Sequence, residues 1–138
     1  MKLLLDANVL LDTALRRVPF AADSDRAIQW CQEHPRAALI AWHSVANIYY
    51  FLRISWTNAK ARDFIADLLR FAIVTEAGNA AVKHALNLPM NDFEDALQVA
   101  AALAGGADFI VTRDTRDYRR SPLVAITPAQ FLRKMEIS

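Results

Sequence analysis

Short apolar runs alternate along the chain with longer stretches whose apolar residues recur at helical spacing. Residues 2–6 are an apolar run closed by a carboxylate, the pattern of a strand buried on both faces. Residues 9–17 then predict a helix with Pro19 beyond its end, and residues 24–34 a second one closed by Pro35. Residues 37–42 predict another buried strand, followed by a helix over 44–54 that carries Val45, Ile48, Tyr49 and Leu52 on one face. Thr57 is the expected cap of a helix reaching about residue 70, with Phe64, Ile65, Leu68 and Leu69 inward. Residues 71–75 predict the third strand, and Asn79 is the expected cap of a helix that stops before Pro89. The most apolar helix spans 93–104 and is ended by Gly105-Gly106. Strands over 107–112 and 123–126 follow, and Thr127-Pro128 opens the last helix with a cap and a proline at its first position. Strands alternating with helices, without repeat or linker, predict one three-layer α/β/α domain over residues 1–138 with a mainly parallel sheet.

That architecture gives three aspartates a common address. Asp6 ends the first strand, Asp114 follows the fourth, and Asp95 lies in the first turn of the helix leading to the fourth strand. In a right-handed parallel arrangement, helix N-termini and strand C-termini share one edge of the sheet, where such folds bind ligands. Each residue also has a plain structural role open to it. Asp6 can cap the next helix, Asp95 can interact with a helix dipole, and Asp114 can serve a turn. Convergence changes the balance: two carboxylates about 5 Å apart repel by roughly 3 kcal/mol at an effective dielectric near 20. A bound cation removes that conflict. Oxygen ligands without thiols or paired histidines favour Mg²⁺ or Mn²⁺ over zinc. Asp92, one helical turn before Asp95, can add a ligand, although Asn91-Asp92 also reads as a helix start.

Composition narrows the field further. The 138 residues are 54% hydrophobic and 22% charged, as in an ordinary globular domain. No run approaches the roughly 18 residues needed to span a bilayer, and the N-terminal apolar run is too short for a signal-peptide core, so a cytoplasmic protein without membrane contact is expected. Cys31 is the only cysteine, which excludes an internal disulfide and a cysteine-rich zinc site. His34, His43 and His84 lack metal-ligand spacing and are expected at the surface or satisfied in the core. Net charge is +1, but Arg113, Arg116, Arg119 and Arg120 crowd together, either as a solvated loop or as a phosphate-contacting patch. With only three glycines there is no phosphate-cradling loop, and a carboxylate-held metal suits phosphodiester hydrolysis.

The motifs then resemble a known family. Leu5-Asp6-Ala7-Asn8-Val9-Leu10-Leu11-Asp12, Asp92-Phe93-Glu94-Asp95-Ala96-Leu97-Gln98 and Ile110-Val111-Thr112-Arg113-Asp114-Thr115-Arg116-Asp117-Tyr118 resemble, in order and spacing, the three motifs of PIN-domain proteins. The resemblance implies a five-stranded parallel sheet in order 3-2-1-4-5, metal-dependent cleavage of single-stranded RNA, and frequent homodimers. It also implies, as in bacterial VapC-like ribonuclease toxins, a toxin of a type II toxin–antitoxin pair with an antitoxin partner. Asp6, Asp95 and Asp114 match the catalytic, metal-holding positions, and Asp117 is placed to replace or assist Asp114. Asn8 and Thr112 match supporting positions, and Arg113, Arg116 and Arg119 are the expected RNA contacts. One position departs: Asn47 stands where the family usually has glutamate. Its amide oxygen can still meet a metal or its water, but it carries no charge. This departure motivates an alternative, a catalytically weakened module of the same fold that binds RNA or a protein partner. A haloacid-dehalogenase-like phosphatase, suggested by Asp6-x-Asn8, would want an aspartate at position 8 and a longer chain.

Overall fold

The computed structural model describes residues 1–137. Five parallel strands, β1 (Leu3–Leu5), β2 (Ala38–Ile40), β3 (Ala72–Val74), β4 (Phe109–Val111) and β5 (Ala125–Ile126), form one sheet in the order β3-β2-β1-β4-β5. This is the expected order, with β1 at the centre. All three of its leucines are fully buried, and burying each contributes about 1.5–3 kcal/mol. The strand period of two sorts them to opposite faces. Leu3 and Leu5 join a core with Ala38, Ile40, Phe109 and Val111, while Leu4 packs with Leu39 and Ile110.

The helices are α1 (Ala7–Ala14), α2 (Ala21–Glu33), α3 (Trp42–Leu52), α4 (Asn58–Leu68), α5 (Asn79–Leu86), α6 (Phe93–Ala104) and α7 (Pro128–Lys134). Residues of α1 to α4 and α7 cover the Leu3/Leu5 face, and Val99, Ala101 and Ala102 of α6 cover the Leu4 face. The alanine-rich side of α6 lets it lie close to the sheet. Its C-cap, Gly105, leaves no room for a side chain, since a Cβ there would stand 2.8 Å from both Leu39 Cδ1 and Thr75 Cγ2. No described helix is long and apolar enough to cross a membrane.

Several helix starts differ from expectation. α1 begins at Ala7 rather than residue 9, and α3 at Trp42 rather than residue 44, each directly after a strand. α2 begins at Ala21, a turn before Ser24. Gly78, not Asn79, occupies the cap of α5, and Asn79 is its first helical residue. Thr57 and Thr127 do cap: Thr57 accepts from the Lys60 amide, and Thr127 forms a reciprocal capping box with Gln130. The loop after β4 contains an unforeseen 3-10 turn, Thr115–Tyr118. Register aligns the strand ends that matter. Leu5 pairs with Val111, so Asp6 and Thr112 leave the sheet side by side, and the Asp6 amide donates to the Val111 carbonyl at 3.0 Å.

Candidate active site

Asp6 occupies the cap position of α1, yet its side chain makes no capping bond. It turns across the sheet edge instead. Thr112 Oγ1 donates to Asp6 Oδ2 at 2.8 Å, Gln98 Nε2 lies 3.4 Å from Oδ1, and the Tyr118 hydroxyl lies 3.4 Å from Oδ2. The strand ends, α6 and the 3-10 turn thus grip one carboxylate from three directions. Burial pushes its pKa up, against the lowering effect of those hydrogen bonds.

Asp95 enters from the first turn of α6, half-buried, and accepts from the same Tyr118 hydroxyl at 3.4 Å. Its pKa is pushed up to about 7, first by desolvation and then by the carboxylates of Asp92, Asp117 and Asp6. The phenol between the two aspartates is itself buried and shifted far upward, so it is a fixed donor at ordinary pH. Asp92 caps α6, accepting from the Asp95 amide at 3.1 Å, and its side chain still borders the same hollow. That cavity, about 360 Å³, is lined by Asp6, Asn8, Asn47, Asp92, Glu94, Asp95, Arg113 and Asp117 among others.

Asp114 is not among those lining residues, whereas Asp117 is. The 3-10 turn explains the exchange. The turn follows Asp114 and carries Asp117, whose carboxyl stands close to those of both Asp114 and Asp92. Desolvation and the Asp114 and Asp92 charges raise the Asp117 pKa. Thr112 serves both neighbours, donating to Asp6 and accepting from the Asp114 amide at 3.3 Å. Asn8 Oδ1 accepts from the Arg113 amide at 3.4 Å, pinning the start of the loop.

The arginines divide into two groups. Arg113 Nε lies 3.3 Å from Asp12 Oδ2, and its guanidinium sits 4.3 Å over the Phe20 ring. Asp12 is fully buried, with Arg17 3.5 Å from its other oxygen, so Arg113 is partly committed to compensating a charge inside the fold. Arg116, Arg119 and Arg120 instead line a second hollow of about 270 Å³. It shares Asp92, Asp95 and Asp117 with the first. An acidic cavity and a hollow lined by three arginines and three aspartates therefore share a wall.

Four residues that had no expected role prove to belong here. Gln98, buried on α6, links Asp6 to Ser44, donating to the serine Oγ at 3.0 Å. Tyr118 bridges the two aspartates, and Glu94 faces Asn47 across the cavity mouth. His43, unlike the exposed His34 and His84, lies near Glu94 and Asp6. Burial lowers its pKa, opposed by those two charges. Gln98 and Tyr118 stand inside recognisable motifs; Gln98 is a polar residue amid the apolar Leu97 and Val99, whereas Tyr118 lies among charged residues and gave no such signal.

Among the described residues, no three His, Cys, Asp or Glu side chains are already gathered as a ligand set. The donor chemistry nonetheless fits a hard divalent cation. Every anionic group on the cavity wall is a carboxylate, and the mutual repulsion that raises the pKa of Asp95 is what a cation would relieve.

The family profile of the PIN domain matches residues 2–116, a span that includes Asp6, Asn8, Asn47, Asp95, Thr112 and Asp114. The chain belongs to the PIN-domain family. Its fold is that of VapC-like members. It is similar to VapBC2 from Rickettsia felis, solved bound to a DNA fragment from their promoter (TM-score 0.71, 14% identity, 92% of this chain and 98% of that one). It is also similar to a toxin–antitoxin complex from Klebsiella pneumoniae (TM-score 0.70, 17% identity, 92% and 98%). A third likeness is to VapC20 from Mycobacterium tuberculosis, a sarcin–ricin loop cleaving toxin (TM-score 0.66, 13% identity, 84% and 92%). No curated protein sequence matches the chain.

Proposed function

We propose that this PIN-domain chain is a divalent-metal-dependent endoribonuclease that hydrolyses phosphodiester bonds of single-stranded RNA, acting as the toxin of a toxin–antitoxin pair in the cytoplasm. One observation carries the reading: Asp6, Asp92, Asp95 and Asp117 border a cavity, and three of these aspartates also line a hollow with Arg116, Arg119 and Arg120. Carboxylates suit the metal, arginine forks suit phosphate, and the two lie side by side as cleavage of a phosphodiester requires.

Mg²⁺ or Mn²⁺ held there supplies a water of lowered pKa and neutralises charge on the phosphoryl and leaving oxygens. The chain's own residues do the rest. Thr112 and Gln98 hold Asp6 in one orientation, so a fixed carboxylate faces the cation. Tyr118 keeps Asp6 and Asp95 at a set separation. Asp95, whose pKa desolvation and the neighbouring carboxylates push up to about 7, would hold the cation in its ionised form. Asp117 approaches from the loop, with Asp114 supporting it from behind. Arg116 and Arg119 would contact RNA phosphates beside the carboxylates, and Arg113 would contribute from its tethered position at the cavity wall.

The test is cleavage of single-stranded RNA by purified protein, free of any antitoxin, with Mn²⁺ or with EDTA. Cleavage confined to the Mn²⁺ arm and reduced at least about 100-fold by Asp6→Asn is expected. Equal cleavage in both arms would sink the metal mechanism. The uncharged Asn47 favours a second reading, a weakened PIN module that binds RNA or protein; RNA binding without turnover under any divalent metal would select it. An antitoxin is the proposed protein partner, and a homodimer the proposed assembly. The broad apolar exposure of α3, with Trp42 71%, Tyr50 70% and Phe51 45% exposed, supports a protein partner on that side.

A further inference from the structure

Asn47 leaves the α3 side of the cavity without a charge, but α6 reaches across to it. The Asn47 amide donates through Nδ2 to Glu94 Oε1 at 2.9 Å, a contact spanning 47 residues of sequence. Glu94 lies in the first turn of α6 beside Asp95, and both line the same cavity as Asp6 and Asp117. Among the described residues no ion pair engages Glu94, so one of its oxygens is held by Asn47 and the other is uncommitted. One helical turn further on, Gln98 makes the parallel contact from α6 to Ser44 of α3. Its Oε1 is buried without a partner while its Nε2 reaches Asp6. The α6–α3 seam thus presents a carboxylate at its mouth, on the cavity that Asp6 also lines, and an unsatisfied amide oxygen one turn along, on the side chain whose Nε2 reaches Asp6. An electrostatic trace of the same closeness appears at His43, which feels both Glu94 and Asp6.

We infer that Glu94 supplies the carboxylate that α3 lacks at the metal site, and that Asn47 is its positioning residue. The anionic corner is displaced from one helix to the other rather than lost, and Asn47 acts through the hydrogen bond that aims Glu94 inward. A contact that merely tied α3 to α6 would have no need of a charge. Glutamine at position 94 still offers an acceptor to the Asn47 amide, so Glu94→Gln removes the charge and keeps the tie. Because Glu94 is exposed, the substitution leaves the packing of α6 untouched.

This inference rests on metal binding at the proposed site, and the experiment separates the two. Mn²⁺ binding is measured by calorimetry at pH 8, without RNA, for the full chain and for Glu94→Gln, Asn47→Ala, Asp95→Asn and the exchange variant Glu94→Gln/Asn47→Glu. Glu94→Gln should weaken Mn²⁺ binding about 10- to 100-fold, and Asn47→Ala by a few-fold, as loss of a supporting partner does. The exchange variant should recover most of the affinity. Wild-type affinity in Glu94→Gln, alongside loss in Asp95→Asn, overturns the role of Glu94 and leaves the metal site standing. No Mn²⁺ binding by the unsubstituted chain overturns both.

Discussion

Tyr118 touches both aspartates at the sheet edge, and its hydroxyl shapes how they share protons. At 3.4 Å each, its bonds to Asp6 and Asp95 are long, yet both favour the ionised carboxylates. Desolvation works the other way and prevails, so Asp95 sits at about 7. A cation must displace that proton, which makes metal binding weaken as pH falls through this value. Tyr118→Phe removes the donor that, among the described residues, both groups share. We expect the pH midpoint of Mn²⁺ binding to move upward by several tenths of a unit, read from calorimetric titrations between pH 5.5 and 8. The stability cost should be about 1 kcal/mol, that of one lost buried hydrogen bond. An unchanged midpoint would show that the phenol merely fills space. Residues of this kind were hidden in the sequence because their partners lie far away along it. Gln98 meets Asp6 across 92 positions, and Tyr118 meets it across 112. Asp6 and Asp95 were legible because strand ends and helix starts have a known common edge. Arg113 shows the opposite hazard: it looked like a free cation, but buried Asp12 had already engaged it.

At the scale of elements, α6 is the part on which the site depends most. It carries Asp92, Glu94, Asp95 and Gln98, and its depth against the sheet sets how far those groups project. Gly105 controls that depth from the other end. Alanine would ordinarily gain about 0.4–1 kcal/mol over glycine by restricting the unfolded chain. Here the added methyl would meet Leu39 Cδ1 and Thr75 Cγ2 at 2.8 Å, and both residues are almost wholly buried. Overpacking of that kind costs about 1–3 kcal/mol and should win. Gly105→Ala is therefore expected to lower the urea midpoint, with the slope of the transition unchanged; a rise in midpoint would show that Leu39 and Thr75 yield freely. The order of elements was readable from alternation of short apolar runs with helical spacing. Their boundaries were less so, for a physical reason visible at α1. Asp6 offered a cap signal there, but its side chain turns to Thr112 instead of capping, so the signal did not fix where the helix starts. The 3-10 turn was similarly silent. It places Asp117 rather than Asp114 on the cavity wall, a choice that two aspartates three residues apart do not announce.

Across the whole molecule, the carboxylate edge sets stability against function. In the folded chain the Asp95 carboxyl has its pKa raised from 3.8 to about 7. Between those values the folded state holds a proton that the unfolded state has released, so stability declines as pH rises through the window and stays lower above it. Asp95→Asn removes that penalty while keeping an acceptor for Tyr118. Without metal, the variant should match the parent near pH 4 and gain on it up to pH 7. At pH 8 it should exceed the parent by about 1–2 kcal/mol, a figure discounted because the group is half-exposed, or roughly 3–8 °C in melting temperature. Mn²⁺ reverses the order. A ligand at 100 times its dissociation constant stabilises the folded state by about 2.7 kcal/mol, and only the chain that retains Asp95 should receive it in full. Melting curves at pH 8, with Mn²⁺ and with EDTA, therefore decide the matter. A crossing of the two variants means that the folded state bears the repulsion of its own aspartates because a cation completes it. Parallel shifts, or none, would mean that the cluster is tolerated for some reason other than metal.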